Sequence, residues 1–257
     1  MEWINQLPVF LLIFVRILAF MATLPVFSYR NVPNTFKVAF ALFFAYIIFF
    51  TVDVSGVGID ATYFLLIIKE ALIGLLLGLI ATMLFYAIQV AGAFMDLKMG
   101  FLVANVIDPQ TGAQSPLTGG FLYAFAILLL LVTDGHHLLL DGIFYSFAYV
   151  PVEEVNFHFG RESVLETAVG AMSTMFVIAF QMSFPIVGAL FLVDVALGMM
   201  SRAVPQMNVF VVGLPLKIFL GWPIMLFMLP AFLWLVSNLV DEMVITMRTL
   251  LQLFGGE

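Results

Sequence analysis

Apolar residues run in long blocks along this chain, and polar residues are confined to short gaps between them. About 20 apolar residues in helical form cross a hydrocarbon core of about 30 Å. Six blocks approach or exceed that length, at roughly residues 7–27, 36–52, 61–95, 119–133, 164–200 and 207–236. Each predicts a helix. The gaps read SYRNVPNTFK, DVSGVGID, NVIDPQTGAQSPLTGG, DGHHLLLDGIFYSFAYVPVEEVNFHFGRE and SRAVPQ. The first block lacks a basic flank and a small-residue cleavage site, so it reads as a retained span and not a signal peptide. The pattern predicts an all-α integral membrane protein, with residues 1–257 forming one polytopic domain of about six helical segments.

Two blocks fit a simple span badly. Residues 61–95 would make a helix of about 50 Å, and residues 164–200 are similarly long and contain Pro185. Pro215, Pro223 and Pro230 interrupt the last block. Proline removes a backbone donor and bends a helix, and lipid cannot satisfy the freed carbonyl. Such helices are expected to be bent or kinked, packed against protein, or partly outside the bilayer. That is the pattern of a component of an assembly.

Composition fixes the solvent. Hydrophobic residues make up 64% of the chain and charged residues 10%, against about 25% charged in soluble domains. The mean hydropathy is +1.17. A net charge of −7, with nine scattered Lys and Arg, lacks the clustered basic footprint of a nucleic-acid binder. With no cysteine, disulfides, thiolate zinc sites and cysteine nucleophiles are excluded. Arg30 and Lys37 mark the first connection as cytoplasmic, and the acidic second and fourth connections read as outside.

Arg16 lies inside the first block and costs about 2.5–3.5 kcal/mol at a helix centre, against about 0.3–0.6 returned by each Leu, Ile, Phe or Val. A partner carboxylate would help, and Glu70 and Asp194 are candidates; the alternative is snorkelling to an interface. Lys69-Glu70 fits either a proton relay or a buried ion network. Gly74 and Gly78 share one helix face, where another helix can approach closely, and Ala87 and Ala91 repeat the spacing. Met95, Met99 and Phe101 fit ordinary packing or a compliant pore seal.

In DGHH, adjacent histidines are expected to point to different sides of a helix, so no metal is assigned, and the stretch reads as an outer interface turn. There is no phosphate loop, nucleophile elbow or His-Glu-x-x-His helix. Nothing indicates an enzyme or a cofactor.

Five stretches in order carry a resemblance that covers essentially the whole chain: RILAFMATLPVFSYRNVPNTFKVAFA, KEALIGLLLGL, AGAFMDLKMGFLVANVIDPQTG, DGHHLLLDGIFYSF and RAVPQMNVFVVGLPLKI. The chain resembles the R subunit family of the flagellar type III export gate (FliR), whose injectisome relatives form the T-subunit family. The resemblance implies a single copy assembled with several P and Q subunits and other basal-body export components in the bacterial cytoplasmic membrane. The assembly closes a pore through which unfolded flagellar proteins leave the cell, in contact with membrane lipid. It also implies bent helical hairpins wound into a helical assembly and raised out of the bilayer plane, which departs from a flat six-span topology.

The resemblance further implies that the polar stretch at 105–119 is a pore plug, comprising Val106, Ile107, Asp108, Pro109, Gln110, Thr111, Gly112, Ala113, Gln114, Ser115, Pro116 and Leu117. Its chemistry suits that role. A residue before proline avoids the α region, and irregular backbone at membrane depth is tolerated only in protein or beside water. Arg16, Pro25, Pro33, Lys37, Glu70, Gly74, Gly78, Asp134, Gly135, Arg202, Pro205 and Gln206 match the marks and are assigned to helix bends and subunit contacts, with Asp194 a further intramembrane polar position. A proton- or ion-coupled small-solute transporter using Glu70, Asp96 or Asp194 is the alternative from another class. A membrane scaffold without a conduit is the third reading.

Overall fold

The computed structural model describes residues 2–27, 32–52, 57–101, 116–154 and 162–256. Positions 106–115 of the polar stretch, and Arg30, lie outside the described residues. Among the described residues there are nine helices and no strand: α1 (Glu2–Thr23), α2 (Asn34–Phe49), α3 (Ala61–Phe85), α4 (Ala87–Met99), α5 (Leu117–Val132), α6 (Gly135–Tyr149), α7 (Glu162–Ala203), α8 (Val209–Phe227) and α9 (Leu229–Gly255). Five helical runs are long and apolar enough to cross a membrane, or six if α5 and α6 count as one interrupted span. The chain is an all-α protein of the polytopic membrane type.

Several boundaries differ from the sequence reading. The long block at 61–95 breaks at Tyr86 into α3 and α4. DGHH holds a turn only at its first residue: Thr133 and Asp134 turn the chain by 72° between α5 and α6, and Gly135–Tyr149 is already helical. The last block is two helices, parted at Met228 just before Pro230, and the second reaches Gly255. Proline fits a helix's first turn because its missing N–H is unpaired there anyway. Pro185 does not end α7, which runs 42 residues. Helix α2 has 16 residues, about 24 Å long, short of a full span.

The chain divides into two compact units. The first comprises residues 1–85, 131–172 and 240–257; the second comprises 86–130 and 173–239.

In the first unit, α1 buries Leu12, Ile13, Arg16, Ile17, Phe20 and Met21, a stripe at helical spacing. That stripe faces α3. The two helices run in the same direction, since Tyr63 donates to the Pro8 carbonyl at 3.1 Å and Thr82 donates to the Thr23 carbonyl. Gly74 and Gly78 make the approach close. A Cβ at 74 would lie 2.9 Å from the Ala19 Cβ, and one at 78 would lie 2.8 Å from the Phe20 carbonyl oxygen. The small-residue face predicted from GLLLG is therefore a helix contact within the chain. Asp60 opens α3 by accepting from the Thr62 hydroxyl and N–H, and the Thr62 bond holds its carboxyl below the ordinary value.

In the second unit, α4 meets α5 where Gly92 and Gly119 approach backbone to backbone. Gly100 ends α4 with φ 89°, a left-handed value that suits glycine. Asn208 opens α8 by accepting from the N–H groups of Phe210 and Val211 at 3.1 and 3.3 Å.

Candidate functional site

Arg16, Glu70 and Lys69 are all buried in the first unit. Arg16 does not snorkel. Its Nε donates to Glu70 Oε2, and Nη2 donates to Glu70 Oε1 at 2.9 Å. Nη1 donates to the Ser146 carbonyl and hydroxyl at 2.9 and 3.0 Å, while Nη2 also donates to the Val150 carbonyl at 2.8 Å. All five guanidinium donors are used. The guanidinium also lies 4.2 Å from the centre of the Phe147 ring, a cation–π contact.

Lys69 continues the network. Its ammonium is 2.9 Å from Glu70 Oε1 and donates to the carbonyls of Pro151, Val152 and Glu154 at 2.7, 3.3 and 2.8 Å. The geometry explains why one carboxylate suffices for two cations. The last carbonyls of a helix lack partners along the helix and carry the negative end of its dipole. The end of α6 and the turn after it supply the carbonyls here, and that of Ser146 also accepts from the Val150 N–H at 3.0 Å. Sequence reasoning named Glu70 as a partner of Arg16 but missed the carbonyl half of the site, which depends on where α6 ends.

Asp194 does not pair with Arg16. In the second unit it forms an ion pair with Lys217, and Lys98 Nζ is 3.9 Å from its Oδ2 and 5.7 Å from the Phe191 ring centre. All three side chains remain part-exposed. Asp194→Asn leaves two ammonium groups facing one another. It is expected to lower the thermal unfolding midpoint in detergent by an amount equivalent to about 1 kcal/mol, discounted for exposure. Lys217→Met in the same chain should recover most of that loss.

Asp96 is fully buried, and both of its carboxylate oxygens accept from the Thr118 N–H at 3.2 Å. The first turn of α5 is thereby capped from α4. Asp96 and Thr118, with Gly92 and Gly119, bracket the polar stretch at its two ends. Of the positions assigned to that stretch, Pro116 and Leu117 are described: the Pro116 carbonyl accepts from Gly120 at 2.7 Å and Leu117 begins α5. Met95 and Met99 are buried in the second unit, with Met99 against Gly221. Phe101 is half-buried.

The remaining assigned positions are spread along the chain. Pro25 sits in the turn after α1, and Pro33 precedes α2, its carbonyl accepting from Phe36 and Lys37. Arg202, Pro205 and Gln206 are exposed at and after the end of α7. Gly135 is buried at the start of α6, after Asp134 with φ 58°. The histidines following it do not point apart. Their ring centres are 4.1 Å from one another, and one ligand atom from each of Asp134, His136 and His137 falls within 4.8 Å of the others. His137 Nδ1 is 3.4 Å from Asp134 Oδ1.

Each carboxylate offered for ion coupling is engaged: Glu70 by two cations, Asp96 by a helix N-terminus, Asp194 by two lysines. Together with the apolar helices, this defines a membrane-embedded helical protein whose buried polar groups serve helix contacts. The family described as bacterial export proteins, family 1, matches residues 7–243, and the chain belongs to it. It is a multi-pass membrane component of an export apparatus. It is 51% identical over 253 residues to the flagellar biosynthetic protein FliR of Bacillus subtilis, covering 98% of each chain. It is 27% identical over 246 residues to the protein of that name from Escherichia coli, covering 94% and 92%. Over 160 residues it is 32% identical to the Yop proteins translocation protein T of Yersinia pestis, covering 62% and 61%. These likenesses lend no support to the small-solute transporter alternative.

Proposed function

We propose that this chain is a subunit of the flagellar type III protein-export gate, in the bacterial cytoplasmic membrane at the basal body. There it assembles with P and Q subunits around a closed pore that passes unfolded flagellar proteins. The observation that carries the reading is the likeness to a flagellar biosynthetic protein along nearly the full length of both chains. The surface is consistent with it. Only 17% of the apolar window of α8 and 33% of that of α7 is buried within the chain, which leaves apolar helix faces for neighbouring subunits and lipid. The chain's role is structural, with no bond chemistry.

The polar stretch at 105–119 is the plug of that pore. The helices that flank it are tied to one another by the Asp96–Thr118 hydrogen bonds and the Gly92–Gly119 contact. Gln110, Thr111 and Gln114 can hydrogen-bond to neighbouring subunits when the pore is shut and to water when it is open. Deleting residues 106–115 from the assembled complex tests this. Reconstituted in vesicles, the deleted complex is expected to leak small ions while the parent does not. Equal tightness of the two would favour a scaffold without a conduit.

A further inference from the structure

The first unit holds a cavity of about 380 Å³ between α6 and the last turns of α9, whose walls include Leu138, Asp141, Tyr145, Tyr149, Arg248 and Gln252. Two close approaches border it. Gly142 faces the Met247 methyl, where a Cβ would lie 2.7 Å away, and a Cβ on Gly255 would lie 2.7 Å from the Tyr149 carbonyl oxygen. These contacts advance together along both chains, so the helices run in the same direction, with the cavity beside the paired contacts.

The wall chemistry is divided. Asp141 on α6 and Arg248 on α9 line one cavity, yet among the described residues neither forms an ion pair with the other or with any other charge. Tyr145, Tyr149 and Gln252 add hydrogen-bonding tips, and Leu138, Val244 and Leu251 add apolar wall. An opposed cation and anion across an open space suit a ligand that carries both charges itself. The position along α9 points the same way. Up to Val236 the helix is apolar; after it Ser237, Asp241, Glu242, Arg248 and Thr249 are exposed while Leu239, Met243, Met247, Leu250 and Phe254 are buried. In a chain of membrane helices, two tyrosines beside exposed charges and an apolar wall are suited to the headgroup zone of a bilayer, where Tyr is enriched.

We propose that this cavity is a binding site for a zwitterionic phospholipid headgroup, with its phosphate on Arg248 and its ammonium on Asp141. The tyrosines flank the glycerol region, and the acyl chains leave over the apolar wall. Guanidinium–phosphate and carboxylate–ammonium contacts are charge-assisted and worth about tenfold or more each in affinity.

The test is native mass spectrometry of the full-length chain in its membrane complex, stripped of lipid and titrated with phosphatidylethanolamine or phosphatidylglycerol. One phosphatidylethanolamine per chain is expected, retained more tightly than phosphatidylglycerol. Arg248→Gln and Asp141→Asn should each weaken its retention about tenfold. Thr249→Ala, on the exposed side of the same helix, should leave it unchanged, and circular dichroism should show equal helix content in all four proteins. Equal retention of the two lipids by the parent, or retention unaffected by either charge variant, would overturn the proposal. So would loss of a neighbouring protein subunit in place of a lipid, which would make the cavity a protein contact.

Discussion

A Glu70→Gln chain is expected to yield little intact complex from mildly extracted membranes, and whatever complex is recovered should conduct as the parent does. The substitution leaves the Arg16 guanidinium and the Lys69 ammonium buried without the carboxylate that both contact. Removing one partner of a buried charge network costs about 3–5 kcal/mol, because the stranded charge keeps its desolvation penalty. That is a large share of the roughly 5–15 kcal/mol that holds a folded protein together. The loss should extend beyond α1 and α3, since the same cations hold the end of α6 and the turn through Glu154. Replacing Arg16, Lys69 and Glu70 together with apolar residues of similar volume should restore part of the yield. Size-exclusion chromatography of the extracted complex reads this directly. Normal assembly with a selective loss of proton-driven export would instead make Glu70 a relay.

Gly92→Ala should be the most damaging conservative change in the second unit. The added methyl would fall on the backbone of Gly119, within contact distance of its Cα and nitrogen. Backbone cannot move aside as a side chain can, so α4 and α5 must separate. Overpacking of this kind costs about 1–3 kcal/mol and occasionally more, and here it would stretch the Asp96–Thr118 bonds that cap α5. Gly120→Ala is the matched control. A Cβ there meets nothing within 4 Å, and alanine in a helix is favoured over glycine by about 1 kcal/mol. Thermal unfolding in detergent should therefore move down for Gly92→Ala and stay level or rise for Gly120→Ala.

The class of fold was legible because hydropathy is a property of local sequence. The membrane helices, their excess length and the close-packing face at Gly74 and Gly78 all follow from composition and spacing. What failed was the reading of polar residues inside helices. The stretch at 135–149 carries Asp141, Ser146 and two histidines, which lowered its hydropathy and made it look like a connection. Its buried positions Leu139, Leu140, Ile143, Ser146 and Phe147 nevertheless follow a helical period. The same holds for α9 beyond 236, where Val236, Leu239, Val240, Met243, Met247 and Leu250 form a buried stripe among exposed acids. A periodicity test would have found both helices where a hydropathy window did not.

The polar sites were legible to different depths. A buried Arg16 demands an anion, and Glu70 was one of two candidates that charge alone could supply. The carbonyls that complete the shell of Arg16 come from Ser146 and Val150, those around Lys69 come from Pro151, Val152 and Glu154, and backbone acceptors leave no mark in sequence. The Asp96–Thr118 cap is invisible for a related reason. Its partners lie 22 positions apart, and any residue but proline at 118 would present the same N–H. The break at Tyr86 also lacks a signal, with neither proline nor glycine at the site. The histidine pair was misread because two adjacent side chains at the opening of α6, after the left-handed Asp134, need not diverge as they would in a helix interior.

The most direct measurement of the gate assignment is native mass spectrometry of the tagged chain, gently extracted from the membranes of its own host. The account predicts one discrete complex holding a single copy of this chain with multiple copies of two other small hydrophobic subunits. Recovery of the chain alone, or as a simple homo-oligomer, under the same mild extraction would contradict it.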